Sequence, residues 1–203
     1  TPVHLGIPGR HNVMNALAAA TVAMRYGMAP ETVARILASQ HTISPHRMAL
    51  STVNREGTSF TLIDDSFNAN PDSMKAGLNG LKAWNSNDGK EPFRVALLGA
   101  MLELGADETA LHTSIGTYAD ELGIDAIIAV GSAQDQHLDA LAQALADGAR
   151  QSQSASVDCV HDIDAAEQLV IDLARNHPDA VVLLKGSHAS GPVSYTHLTL
   201  PTT

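Results

Sequence analysis

Two hydrophobic rhythms divide the chain. From residue 94 onward, short apolar runs at 94–98, 126–130, 157–161 and 180–184 alternate with stretches at 108–122, 133–146 and 165–176 whose apolar residues recur every three or four positions. Short buried strands separated by amphipathic helices imply parallel βαβ units with helices on both faces of one sheet. Upstream, residues 48–54 and 58–64 alternate apolar with polar around Arg55-Glu56-Gly57, the pattern of a β-hairpin. A helix is expected from Pro71, with Met74, Leu78 and Leu81 on its inner face. Residues 13–26 are rich in alanine and leucine and end at Gly27, a suitable helix stop. Their apolar side chains cover most of the circumference, which predicts a helix buried on all sides. Pro30 opens a second helix to about residue 39, with Val33, Ile36 and Leu37 on one face. The polar, proline-containing stretch 41–45 reads as a hinge between domains, and 85–92 as a surface loop. The predicted class is α/β: a Rossmann-like domain with a mostly parallel, roughly six-stranded sheet, preceded by two helices.

The stretch with the densest chemistry is Ile63-Asp64-Asp65-Ser66-Phe67-Asn68-Ala69-Asn70-Pro71-Asp72-Ser73-Met74, a strand end, a polar turn and a helix start. Asn70 is the natural N-cap before Pro71. Adjacent strand residues face opposite ways, so Asp64 and Asp65 do not serve one ligand together. That pattern suits a single acidic contact, such as one carboxylate accepting from ribose hydroxyls; an ordinary capped turn is the alternative. In parallel sheets ligands gather at the carboxyl ends of the strands. This selects Asp65, Asn68 and Asn70, residues 99–105, Gly131-Ser132 and Lys185-Gly186-Ser187. The last of these combines a cation, an open backbone and a hydroxyl, a set suited to a carboxylate. Asn12 and Asn15 stand one helical turn apart, so both amides can address one ligand, with helix capping as the alternative. No Gly-x-Gly-x-x-Gly follows a strand, and no Gly-x-x-x-x-Gly-Lys-Ser/Thr occurs. The histidines are too scattered for a zinc site, and His112 reads as structural.

Composition narrows the classes. At 203 residues and 44% hydrophobic, the chain has material for one good core and part of a second domain. A formal charge of -10 and 3% aromatic residues provide neither the basic footprint nor the stacking platform of a nucleic-acid binder. No apolar run reaches membrane-span length, and no signal peptide is visible. The single Cys159 excludes an internal disulfide, so a cytoplasmic, soluble protein is expected. The chain opens without methionine, and residues 192–203 abandon the strand–helix alternation, reading as a foreign or disordered tail.

Five segments, in order, carry a resemblance: residues 9–19 (Gly-Arg-His-Asn-Val-Met-Asn-Ala-Leu-Ala-Ala), Ser44-Pro45-His46-Arg47-Met48, the Asp64–Met74 stretch, residues 98–105 (Leu-Gly-Ala-Met-Leu-Glu-Leu-Gly) and Leu184-Lys185-Gly186-Ser187. Together they resemble the Mur ligase family, over nearly the whole chain up to Gly191. The resemblance implies that residues 1–43 end a central ATP-binding domain and 44–191 form the C-terminal domain that binds the amino acid or dipeptide. It implies an ATP-dependent amide-bond ligase of peptidoglycan synthesis that forms an acyl phosphate, which an incoming amine attacks. The Asn68-Ala69-Asn70-Pro71 turn points to the branch that adds D-alanyl-D-alanine to UDP-N-acetylmuramoyl-tripeptide. Asn12, Asn15, Arg47 and Asp65 are the implied nucleotide contacts, and Asn68, Asn70, Lys185 and Ser187 the implied substrate contacts. Mg²⁺ and the phosphate machinery belong to the complete enzyme, so this chain alone is expected to hold neither cofactor and to be inactive. No catalytic residue or metal ligand is assigned to it, and it is read as monomeric, without nucleic-acid or membrane partners. His46, Ala100 and His188 stand where relatives more often carry glycine, aspartate and arginine, and Glu103 has no assigned role. The rival readings are a sibling ligase with another amino acid and a stand-alone, non-catalytic binding module.

Overall fold

The computed structural model describes residues 3–5, 10–40, 46–85, 91–152 and 155–187, without the side chains of Arg10 and His11. The expected hinge at 41–45, most of the 85–92 loop, His188 and the tail at 192–203 lie outside the described residues. The chain divides into two units between Arg47 and Met48.

The first unit is a helix pair. Helix α1 runs Arg10–Arg25 and α2 runs Pro30–Ala38, where Pro30 supplies the fixed backbone of a first helical residue. Val33 is buried, but Val13, Met14, Leu17, Val22 and Met24 of α1 are exposed. This corrects the expectation of a helix buried on all sides. Two helices share a single seam, so a helix that is apolar all round has no second neighbour among the described residues of this unit.

The second unit begins with a hairpin, β1 (Ala49–Arg55) and β2 (Thr58–Asp64). Its two-residue turn, Glu56-Gly57, has positive φ at both positions, the twist that joins antiparallel strands tightly. Helix α3 (Pro71–Ala83) follows, then β3 (Arg94–Leu98), α4 (Glu108–Glu121), β4 (Ala126–Val130), α5 (Gln136–Ala149), β5 (Ser156–Val160), α6 (Ile163–Asn176) and β6 (Val181–Lys185). The six strands stand in the order β1-β2-β6-β3-β4-β5, parallel except for β1.

That order sorts the helices between the faces. Connections α3, α4 and α5 all advance in one direction across the sheet, whereas α6 returns from the β5 edge to the centre. Right-handed crossovers then place α6 on the opposite face from the other three. The core divides accordingly. Ile63, Leu98, Ile127 and Leu183 pack with Met74, Leu78 and Leu81 of α3, Ile115 of α4 and Leu145 of α5. Leu62, Leu97, Ile128 and Leu184 pack with Val170 and Ala174 of α6. The predicted inner face of α3 is fully buried. Helices α4 and α5 touch backbone to backbone, because a Cβ on Gly116 would lie 1.9 Å from the Leu145 carbonyl oxygen and one on Gly148 2.0 Å from that of Thr113. All five residues of β6 are buried, so the chain's last described strand is a central one.

Candidate functional site

The polar groups of the second unit converge where β2, β6 and β3 end. Parallel pairing sets Ile63 beside Leu183 and Asp64 beside Leu184, and the Asp65 N–H donates to the Leu184 carbonyl at 2.8 Å. The two-residue period therefore turns Asp65 and Lys185 to the face that carries α3, and Asp64 to the other. Lys185 Nζ donates to Asp65 Oδ2 at 2.6 Å and to the Asn68 carbonyl at 3.1 Å. The Lys185 side chain is 2% exposed and that of Asp65 17%. The other Asp65 oxygen accepts from the Met48 N–H at 3.2 Å. Asp64, by contrast, accepts from the Ser66 N–H and hydroxyl, closing its own tight turn.

Beyond Asp65 the turn is held by local bonds. Asn68 Oδ1 accepts from the Ala69 N–H, while the Asn68 side chain remains exposed. Asn70 caps α3 with a reciprocal box: its Oδ1 accepts from the Ser73 N–H at 2.8 Å, and Ser73 Oγ accepts from the Asn70 N–H. Asn70 Oδ1 is thus committed to the helix end.

The loop after β3 is clamped at three successive residues. The Gly99 N–H donates to the Lys185 carbonyl, and the Ala100 carbonyl accepts from the Ser187 N–H. The Met101 N–H donates to His112 Nε2 at 2.9 Å. The β3 and β6 loops lie so close that a Cβ on Gly186 would be 3.1 Å from Gly99 Cα. Since His112 Nε2 accepts, Nδ1 carries the proton and donates to the Glu108 carbonyl at 2.7 Å. Burial of this ring lowers its pKa below the usual histidine value and keeps it neutral. The sequence reading recognised His112 as structural but not the loop it holds; its position on the inner face of α4, three residues before Ile115, was the available signal. Past the clamp, Glu103 is exposed with φ 61, in the left-handed region, between partly buried Leu102 and Leu104.

The structure brings Asp65, Asn68 and Lys185 together and stitches Ser187, which is buried, to the β3 loop. Lys185, expected to offer its charge to a substrate carboxylate, donates to Asp65 within the chain. In the first unit, Asn12 and Asn15 occupy the opening turns of α1, with Asn12 buried and Asn15 exposed. Arg47 is exposed at the end of that unit. His46 has φ 62, so a histidine holds the left-handed backbone that glycine adopts without cost. Among the described residues no three His, Cys, Asp or Glu side chains converge as metal ligands. Of the described carboxylates at the strand ends, Asp64 and Asp65 are engaged by protein donors. No described helix is long and apolar enough to cross a membrane.

Against known proteins, residues 46–188 match the family described as Mur ligase, glutamate ligase domain. The chain belongs to the Mur ligase family. It is 39% identical over 195 residues to UDP-N-acetylmuramoyl-tripeptide–D-alanyl-D-alanine ligase from Mycobacterium tuberculosis, an alignment spanning 93% of this chain and 38% of that protein. The fold matches a MurF crystal structure from Acinetobacter baumannii with a TM-score of 0.74 at 26% identity, over 97% of this chain and 38% of the other. A MurF ligase from Thermotoga maritima, solved in complex with ADP, shares the fold at a TM-score of 0.65 and 20% identity, over 95% of this chain and 38% of that one. The chain thus spans under two fifths of the length of these relatives.

Proposed function

We propose that this chain is part of a cytoplasmic, ATP-dependent ligase that joins D-alanyl-D-alanine to UDP-N-acetylmuramoyl-tripeptide in peptidoglycan synthesis. The observation that carries this reading is the 39% identity with a ligase of that name over 93% of the chain. Residues 1–43 then end the central ATP-binding domain, and 44–191 form the C-terminal domain. The division after Arg47 and the family match starting at residue 46 both support that boundary. So do the exposed apolar residues of α1, which suit a helix belonging to a larger domain.

In this reading Asn12 and Asn15 hold the adenine, Arg47 reaches the phosphates or ribose through its planar fork, and Asp65 accepts from the ribose hydroxyls. Asn68, Asn70, Ser187 and the Lys185 loop form the dipeptide side. The chemistry attributed to the family is attack of the dipeptide amine on an acyl phosphate of the tripeptide. The contribution of this domain is to hold the amine in line and to bring its loops over the reacting carbon, converting an encounter into a positioned reaction. The clamped β3 loop suits that task, because a loop fixed at three consecutive residues loses little further entropy on binding.

The test uses the full-length ligase that carries this chain. Phosphate release from ATP is expected to require both the UDP-linked tripeptide and D-alanyl-D-alanine. Asp65→Ala is expected to raise the KM for ATP roughly ten- to a hundredfold, and Asp64→Ala far less, since only Asp65 shares its face with Lys185. Release driven by a different amino acid, with D-alanyl-D-alanine inert, would establish the sibling-ligase reading instead.

A further inference from the structure

The Lys185 ammonium is placed unlike a ligand-binding cation. It is a long, normally solvated side chain, yet Lys185 is 1% exposed. A buried charge of this kind persists only when paired and hydrogen-bonded. Its three donor directions match three acceptors, all on the β2–α3 turn: Asp65 Oδ2 at 2.6 Å, the Asp65 carbonyl at 3.4 Å and the Asn68 carbonyl at 3.1 Å. Helix α3 is shaped around it. At Gly77 a Cβ would meet Lys185 Cδ at 2.9 Å, so glycine leaves the channel through which the lysine stem passes. With Oδ2 on Lys185 and Oδ1 on the Met48 N–H, the Asp65 carboxylate is gripped from two sides. The backbone of the same lysine holds the β3 loop, through its carbonyl and Gly99.

We infer that Lys185 is a positioning residue for the nucleotide contact Asp65, and that it does not bind the dipeptide carboxylate directly. The inference rests on the proposed ligase reading, in which Asp65 meets the nucleotide. An ammonium fixed at one carboxylate oxygen sets the rotation of that carboxylate and leaves the remaining lone pairs in a defined direction. It also anchors the Asn68 carbonyl, so the turn from Asp65 to the cap of α3 keeps one shape. The carboxylate of the incoming dipeptide must then be met by groups other than the Lys185 ammonium.

The experiment is a double-mutant cycle in the full-length ligase, combining Lys185→Met, which keeps the stem and removes the charge, with Asp65→Asn. Nucleotide Kd is measured by equilibrium titration without dipeptide, and dipeptide KM by phosphate release. Each single variant is expected to raise nucleotide Kd roughly tenfold or more, and the double variant no further than the worse single one. Dipeptide KM is expected to rise by a smaller factor than nucleotide Kd in Lys185→Met, because the ammonium reaches the dipeptide side only through the Asn68 turn. A Lys185→Met enzyme with wild-type nucleotide Kd and a raised dipeptide KM would overturn the inference, as would additive effects on nucleotide Kd. Should Lys185→Met fold poorly, Gly77→Ala presses on the lysine stem with both charges retained, and is expected to weaken nucleotide binding by a smaller factor; an unchanged Kd there counts against the inference. A wild-type protein that binds nucleotide but does not use D-alanyl-D-alanine removes the substrate reading alone, whereas one without nucleotide affinity removes both.

Discussion

Replacing His112 with alanine tests whether the β3 loop is held as the structure shows. The ring is fully buried, donates to the Glu108 carbonyl and accepts from the Met101 N–H. Its loss opens a cavity of aromatic size, for which core substitutions cost about 3–5 kcal/mol, and part of that cost is the orphaned Met101 N–H, about 1–3 kcal/mol by itself. The effect should depend on pH in a defined direction. Burial lowers the folded-state pKa below the ordinary value of 6.5, so the unfolded chain takes up a proton first as pH falls. The contribution of His112 to stability is therefore complete above pH 6.5 and declines as pH drops from there toward the folded pKa. Urea unfolding of wild type and His112→Ala at about pH 8 and about pH 5 reads this directly, because the variant lacks the group. The stability gap between the two proteins should be widest at the higher pH and narrow in acid. A gap that is constant, or that widens in acid, would show that the ring is charged in the fold and that the clamp is wrongly drawn.

Other substitutions test the packing and the capped turn. Gly116→Ala places a methyl group 1.9 Å from the Leu145 carbonyl oxygen, so the α4–α5 contact must open. Overpacking of this kind costs about 1–3 kcal/mol or more, and a thermal midpoint equal to that of wild type would refute the close approach. Asn70→Ala removes the side-chain half of the α3 capping box and should cost about 0.5–2 kcal/mol, read as a lower urea midpoint with an unchanged slope. If stability is untouched while dipeptide KM rises, Asn70 is a ligand contact rather than a cap.

Much of the architecture was legible in the chain because its causes are local. Strand and helix periods depend on neighbours within a few residues, so β3 and β4 lie where the pattern put them, and the hairpin differs in that Arg55 belongs to β1, leaving Glu56-Gly57 as a two-residue turn. The Asn70-Pro71 cap is equally local, since an N-cap needs only the first turn of its own helix. The division of Asp64 and Asp65 between two faces follows from the period of a single strand.

What only the tertiary structure decided depends on residues distant in sequence. That β6 inserts between β2 and β3, which sends α6 to the opposite face, rests on pairing between distant segments that no local pattern encodes. This insertion brings the Lys185 ammonium against Asp65, 120 residues earlier, and buries it. The grip of His112 on Met101 and the glycine contact between α4 and α5 likewise arise from separate elements docking. The exposure of α1 is the converse case. Amphipathic pattern reports which surface a helix can bury, but burial itself requires a neighbour, and within its own unit α1 has only α2 among the described residues.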